Sequence, residues 1–202
     1  MGAEVFVHPN AINESVSVGP GTRIWAFAHV MRGAVVGAHC NIGDHAFVES
    51  GAIVGNNVTI KNAVCIWEGV TIQDFAFIGP GVSFTNDRHP RSPRAPIARE
   101  RYSRKENWLV PTLVGEGASI GAGAVLLPGI TIGRYATVGA GATVTRSVPA
   151  FAVVAGNPAR VVGRVCLCGR PLARGRKCAA CGRAYQKRGR ELALRNPEDA
   201  NV

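Results

Sequence analysis

No run of eighteen apolar residues occurs in the 202-residue chain, so no membrane-spanning helix is expected. The beginning, MGAEVFVHPNA, lacks a basic stretch leading into a long apolar one, and no secretory leader is read there. A cytoplasmic setting is therefore expected, in which cysteines stay reduced or bind metal rather than pair. Negative charge is scarce: 13 Asp and Glu stand against 23 Lys and Arg, for a net charge of +10. The chain also lacks both common periodicities. Neither the 3.6-residue spacing of an amphipathic helix nor the two-residue alternation of an ordinary strand organises its apolar residues. Its length fits one domain, or one domain with a small module.

What organises the apolar residues is a step of six. Ile12, Val18, Ile24, Val30, Val36, Ile42, Val48, Val54, Ile60, Ile66, Ile72, Ile78 and Phe84 follow one another at that interval, and Val114, Ile120, Leu126, Ile132, Val138 and Val144 resume it. Glycine often comes next, as at 37, 43, 55, 121 and 139, and a small residue often stands two places before, as at Ala28, Ala46, Ala124 and Ala136. Hexapeptide self-similarity marks an all-β parallel β-helix, in which each hexad is a short strand plus a corner. Three hexads close one triangular coil, and coils stack at roughly 4.8 Å. The bulky residue is expected to fill the prism and the small one to sit near a corner. Glycine is expected to supply the unusual backbone angles there.

The basic charge is uneven. Residues 85–108 hold seven Lys/Arg against three Asp/Glu, residues 160–202 hold eleven against three, and the rest holds five against seven. Charge confined to a loop and a tail suits anionic small ligands or local phosphate contacts better than the uniformly basic face of a nucleic-acid platform. Residues 85–113, which contain Pro90, Pro93, Pro96 and a series of arginines, leave the repeat altogether. A filled prism has no room for them, so they are expected to project as a functional arm. The expected layout is a β-helix over 1–163, with 85–113 protruding, followed by a basic tail over 164–202.

The stretches IWAFAHVMRGAVVG (24–37), TIKNAVCIWEGVTI (59–72) and FTNDRHPRS (84–92) resemble the left-handed β-helix N-acetyltransferases that act on nucleotide-linked 3-amino sugars. VPAFAVVAGNPARVVG (148–163) is similar to the last coil of hexapeptide acyltransferases in general. The resemblance implies a left-handed coil and an acetyl-CoA donor. The acceptor it implies is a UDP- or dTDP-linked 3-amino sugar used in surface polysaccharide or glycoside synthesis. It also implies a homotrimer with active sites between subunits, and no membrane or nucleic-acid partner.

Amide formation from a thioester needs a neutral amine, a positioned donor and hydrogen bonds for the developing oxyanion. An α-amino-like amine has a pKa of about 7.7–8.0, so a useful fraction is already neutral near pH 7 and a dedicated base is optional. Asn86 stands where the coil opens into the arm, and its uncharged amide can hold the amine; in the resembled family the asparagine of the FTND element does so. His89 is the candidate base if one exists. Asp87 can accept from the sugar or order the loop, while Arg88 and Arg91 offer guanidinium forks to a diphosphate or a sugar carboxylate. Glu49 and Lys61 lie within motif stretches at outward positions and are further substrate candidates. Histidines 29 and 45 are read as wall residues. For the donor, the resemblance points to backbone at Ala122 and Ala140 against pantetheine, and to Thr145, Arg146 and Arg160 at the nucleotide end of CoA.

A separate signal follows the coil. Cys166-Leu-Cys168-Gly and Cys178-Ala-Ala-Cys181-Gly form two knuckles, nine residues apart, able to place four thiolates around one structural zinc ion. The intervening sequence is basic and sparsely apolar, so metal binding is expected to supply its folding energy. Cys40 and Cys65 fall inside the repeat as wall residues, and residues 187–202 are expected to form a short helix. Three other readings remain open. One is an acetyltransferase for another amine or hydroxyl, and another is a zinc-ribbon scaffold that binds nucleic acid. The third, a hexapeptide carbonic anhydrase, is disfavoured because His39 and His45 have no third partner at a suitable spacing.

Overall fold

The computed structural model describes residues 4–172, 176–189 and 191–196. Within them the hexads build three parallel sheets, of nine, seven and five strands, that wrap a triangular prism. Most strands are two residues long, because each hexad must also turn a corner. The register advances by one coil at a time, Arg23 pairing with Asn41 and Asn41 with Thr59. Backbone bonds such as Trp25 N–H to Ile42 O, at 2.9 Å, carry the stacking. Among the described residues no helix is long and apolar enough to cross a membrane.

The bulky hexad residues from Ile24 to Phe84 and from Val114 to Val144 are at most 2% exposed and form one continuous core. Ile12 departs from this at 56% exposed, because it lies in the first coil, where the stack ends. The small residues, including Ala28, Ala46, Ala118 and Ala136, also point inward and are buried. The left-handed backbone position is the residue just before them, and it is often not glycine: Phe27, His45, Asn57, Phe75 and Tyr135 all hold φ between 53° and 60°. Glycine after the bulky residue serves close approach instead. A Cβ on Gly37 would lie 2.5 Å from Gly55 O in the next coil. Bulk is excluded there by the neighbouring backbone, and this corrects the expectation that these glycines supply the unusual angles.

The repeat opens after Ser83–Phe84, a strand of the seven-stranded face. The next strand is Thr112–Val114 of the five-stranded face, so Thr112 and Leu113, read as loop from the sequence, belong to the prism. Between them the arm folds into a 3-10 turn (Pro96–Ala98), one helical turn (Arg99–Tyr102) and a second 3-10 turn (Lys105–Asn107). At the far end, Arg160–Arg164 runs antiparallel to Ala152–Ala155 and closes the last coil.

The tail departs from the helix expected at its end. Tyr185–Arg188 and Glu191–Leu194 form an antiparallel hairpin, with Gly189 at φ 61° in the turn. Leu192 and Leu194 alternate with Ala193, a two-residue period that suits a strand with one covered face. Residues 197–202 of the expected helix lie outside the described residues.

Candidate active site

The corner between the seven- and five-stranded faces holds Glu49, Glu68 and Asn86 in three successive coils and Arg146 two coils beyond Asn86, each just past a strand of the seven-stranded face. Asn86 occupies the neck of the arm. Its carbonyl accepts from Val110 N–H at 2.9 Å, and Asp87 bridges antiparallel to Leu109, so the two ends of the arm are zipped together. The Asn86 side-chain Nδ2 donates to Glu68 O at 3.3 Å. That bond uses one of the two Nδ2 hydrogens and leaves Oδ1 as an acceptor. Below, the Glu49 carboxylate accepts from Glu68 N–H at 2.7 Å, so Glu49 and Asn86 grip opposite ends of residue 68.

Two glycines make space for the arm. Leu109 packs over Gly69, where a Cβ would meet its side chain at 3.2 Å, and the Arg88 guanidinium with Val110 fills the space beside Gly129. Polar ties then fix the arm's outer half. Arg101 forks onto Asp87 at 2.5 and 3.1 Å, and Tyr102 Oη–H donates to Asp87 at 2.6 Å. His89 N–H also donates to Asp87, at 2.8 Å. Burial alone would raise the Asp87 carboxyl, but the Arg101 fork, the Tyr102 hydroxyl and the His89 amide outweigh it and hold it at about 2. A second tie joins Lys105 to Glu68 at 2.5 Å.

A cavity of about 640 Å³ lies between arm and coil, bounded by Thr85, Asp87 and Arg88 on one side and by Pro128, Thr145 and Arg146 on the other. Arg146 also borders a smaller cavity of about 180 Å³ that Arg160 lines. Two cavities that share Arg146 thus connect Arg88, Thr145, Arg146 and Arg160. Asp87 reaches the cavity wall, but Arg101 and Tyr102 occupy its carboxylate. Arg91 folds back onto its own loop, Nη1 donating to Pro90 O at 2.9 Å. His89 is exposed, and its backbone carbonyl accepts from Arg101. Lys61, Ala122 and Ala140 occupy the other edge of the seven-stranded face, at the corner it shares with the nine-stranded one. One copy of the chain therefore does not bring them to Asn86. His29 pairs with Glu14 at 3.3 Å and His45 stacks on Phe27, both on the outer wall.

Glu68, Arg101, Tyr102 and Lys105 were not singled out from the sequence. The IWEG stretch that contains Glu68 offered a signal, but nothing periodic marks the other three.

The four tail cysteines converge, with all their Sγ atoms within 4.8 Å of one another. Cys166 and Cys181 are 3.4 Å apart, and Cys168 and Cys178 are 3.7 Å apart. A tetrahedral Zn–S4 unit with bonds of about 2.3 Å has S–S edges of about 3.8 Å, so the residues fit such an ion. Burial pushes the Cys166 thiol up to about 12, whereas the Arg183 backbone N–H draws Cys181 down to about 6.

Residues 15–50 and 111–146 match the family described as bacterial transferase hexapeptide (six repeats). Over 163 residues the chain is 48% identical to dTDP-3-amino-3,6-dideoxy-alpha-D-galactopyranose 3-N-acetyltransferase of Aneurinibacillus thermoaerophilus, covering 81% of this chain and 80% of that one. It is 39% identical over 146 residues to nodulation protein L of Rhizobium meliloti, covering 72% and 69% respectively. The acetyltransferase domain of PglB from Neisseria gonorrhoeae has the same fold, with a TM-score of 0.51 at 24% identity over 80% of this chain and 59% of that one. Hexads that close a prism, an arm at one corner and a sequence shared this far along the chain come together in one lineage: the protein belongs to the bacterial hexapeptide-repeat transferase family and is an acyltransferase.

Proposed function

We propose that the protein is an acetyl-CoA-dependent N-acetyltransferase acting in the cytoplasm on the 3-amino group of a dTDP- or UDP-linked 3-amino sugar. The observation that carries this reading is the place of Asn86 at the neck of the arm, between the cavity-wall residues Thr85 and Asp87 and tied to Glu68 O through Nδ2, in a chain 48% identical to an enzyme named for that reaction. With Nδ2 held by Glu68 O, Asn86 Oδ1 accepts a hydrogen bond from the amine and points the nitrogen lone pair at the thioester. The amine attacks the carbonyl carbon, the C–S bond breaks, and the departing thiolate takes up the proton lost from nitrogen; with a thiol-like pKa near 8.5 it is basic enough to do so. Positioning therefore supplies most of the acceleration, and His89, exposed and outside the cavity wall, is not required as a base. Arg88 meets the diphosphate of the sugar nucleotide, and Arg146 with Arg160 meets the phosphates of CoA. Arg91 acts at the rim and Glu49 through the wall, while Lys61 acts from the opposite edge of the face, on the side of the neighbouring subunit.

Asn86 and the pair Ala122 and Ala140 flank opposite edges of one face, so a homotrimer would bring the edge of one copy against that of its neighbour. This arrangement gives the acceptor side to one subunit and the pantetheine side to the next. In the tail, Cys166, Cys168, Cys178 and Cys181 hold a structural zinc ion, which stabilises fold rather than chemistry.

Incubation with acetyl-CoA and dTDP-3-amino-3,6-dideoxygalactose, with free thiol monitored, tests the reaction. Release of one thiol per acetylated sugar is expected, and no turnover with any 3-amino nucleotide sugar overturns the assignment. Asn86→Ala is expected to lower kcat/KM by about tenfold or more, roughly 1.4 kcal/mol, with the coil intact.

A further inference from the structure

The tail and the coil are not separate bodies. Tyr185 of the hairpin is fully buried, and its hydroxyl donates to Cys166 Sγ at 3.0 Å while accepting from Leu167 N–H at 2.8 Å. Its ring meets Phe151 edge-on at 5.3 Å, and Phe151 stacks on Tyr135, one coil deeper, at 5.4 Å. Tyr135 Oη–H then donates to Glu116 Oε1 at 2.8 Å, a further coil down. An unbroken column thus runs from a cysteine sulfur through three rings down one corner of the prism. Ala150, Phe151, Cys166, Cys178, Tyr185 and Leu194 share one buried cluster, so coil residues and two of the four thiols lie in the same small core.

A second connection runs through the backbone. The strand Arg160–Arg164 covers the edge of Ala152–Ala155, which would otherwise stand open at the end of the stack. Val165 N–H donates to Phe151 O at 2.9 Å, and the next residue is Cys166. Val154, Arg160 and Val161 from this strand pair, and Ala159 from the turn between them, also line the 180 Å³ cavity.

We infer that the four-cysteine site is a metal-dependent lock on the last coil: the bound ion fixes Cys166, and Cys166 fixes both the capping strand and the aromatic column. The lock therefore governs the order of the cavity wall that carries Arg160. A cluster this small orders its chain only when the four sulfurs are drawn together, and the Tyr185 hydroxyl orients one of them from outside the coordination shell. This inference rests on the zinc reading given above, and the two fail in different ways.

The test uses the full chain, as purified, stripped by a zinc chelator under a non-thiol reductant, and reloaded with zinc. Metal content and amide hydrogen exchange are measured in each state. About one zinc per chain is expected. Stripping should accelerate exchange about tenfold or more at Val153–Ala155, Val161–Val165 and Tyr135, with the amides of Ile42–Ile66 unchanged and reloading restoring protection. If no zinc binds in any state, the metal reading falls. If zinc binds yet stripping leaves Val153–Ala155 and Val161–Val165 as protected as before, the zinc reading stands and the lock is overturned.

Two substitutions separate the routes. Asparagine tolerates the left-handed backbone of residue 151 but has no ring. Phe151→Asn should therefore keep the zinc and abolish the response at Tyr135, while Val161–Val165 still respond. A Tyr135 response of unchanged size in that variant overturns the column. Tyr185→Phe keeps the ring contact and removes the hydroxyl, so zinc affinity should fall about tenfold or more. Unaltered affinity overturns the role of that hydroxyl in the lock.

Discussion

The protein has two departures from its repeat, the arm and the tail. Both are basic, both are rich in residues that resist regular structure, and each is held down in a different way. The arm buries little: among its short helical elements only Ala98 is buried, and Ile97 is 94% exposed. Backbone pairing closes its neck, and what holds its outer half is polar contact at short range, chiefly Arg101 and Tyr102 on Asp87. The tail buries Cys166, Cys178 and the Tyr185 ring with Ala150 and Phe151 at the end of the prism. The difference follows from what each must do. Polar ties on an exposed segment can open and re-form as a ligand passes, whereas a cap on an open sheet edge has to remain shut.

The largest effect should come from breaking the tail's mode of attachment. On the zinc reading proposed above, Cys178→Ser removes one of four ligands from a class of site whose affinity corresponds to roughly 10–16 kcal/mol in small zinc domains. Loss of the metal and of exchange protection from Cys166 to Leu194 is expected, with the coil from Ile24 to Phe84 unaffected. Mass spectrometry under native conditions reads the metal directly.

The arm should respond next. Arg101→Ala removes the fork that Asp87 accepts and is expected to lower turnover about tenfold to a hundredfold through misplacement of the cavity wall. The thermal midpoint of the coil should not move. A variant with normal turnover would mean that the arm is held by other contacts.

A pH series compares the same tie with its surroundings. The Asp87 carboxyl is held at about 2, below the ordinary carboxylate value of about 3.9, so its bonds are fully present above the latter and lost as pH falls through the former. Protection of the His89 amide, referred to an unstructured peptide at each pH, should be flat from pH 8 to pH 4 and should decline toward pH 2. The smallest effect is expected from Lys105→Ala. Its side chain is 64% exposed, and exposed pairs contribute little in water, so turnover should change by less than about twofold.

The coil was legible because its instructions are local and repeated. Each bulky residue from Ile24 to Phe84 makes the same inward contact with its copies eighteen positions away, so one rule read along the chain recovers the core. The neck of the arm at Asn86 was legible for a related reason: it is the point where the rule stops. The cysteine knuckles were legible because ligand spacing is short-range. The Asp87–Arg101–Tyr102 cluster was not, since its members lie 14 and 15 positions apart in an aperiodic segment and pair only after the arm has folded. The tail hairpin was missed because its alternation spans few residues.

By itself the sequence determined the prism, its interruption and the pairing of four tail cysteines, all of which arise from short-range or regularly repeated spacings. Only the tertiary structure decided that Asn86 gives its NH2 to Glu68, that Asp87 is spent on the arm, and that Tyr185 and Phe151 join the tail to the coil. Those pairings depend on where separately built elements come to rest, and a side chain's partner across such a junction is fixed by three-dimensional proximity that no periodic pattern encodes.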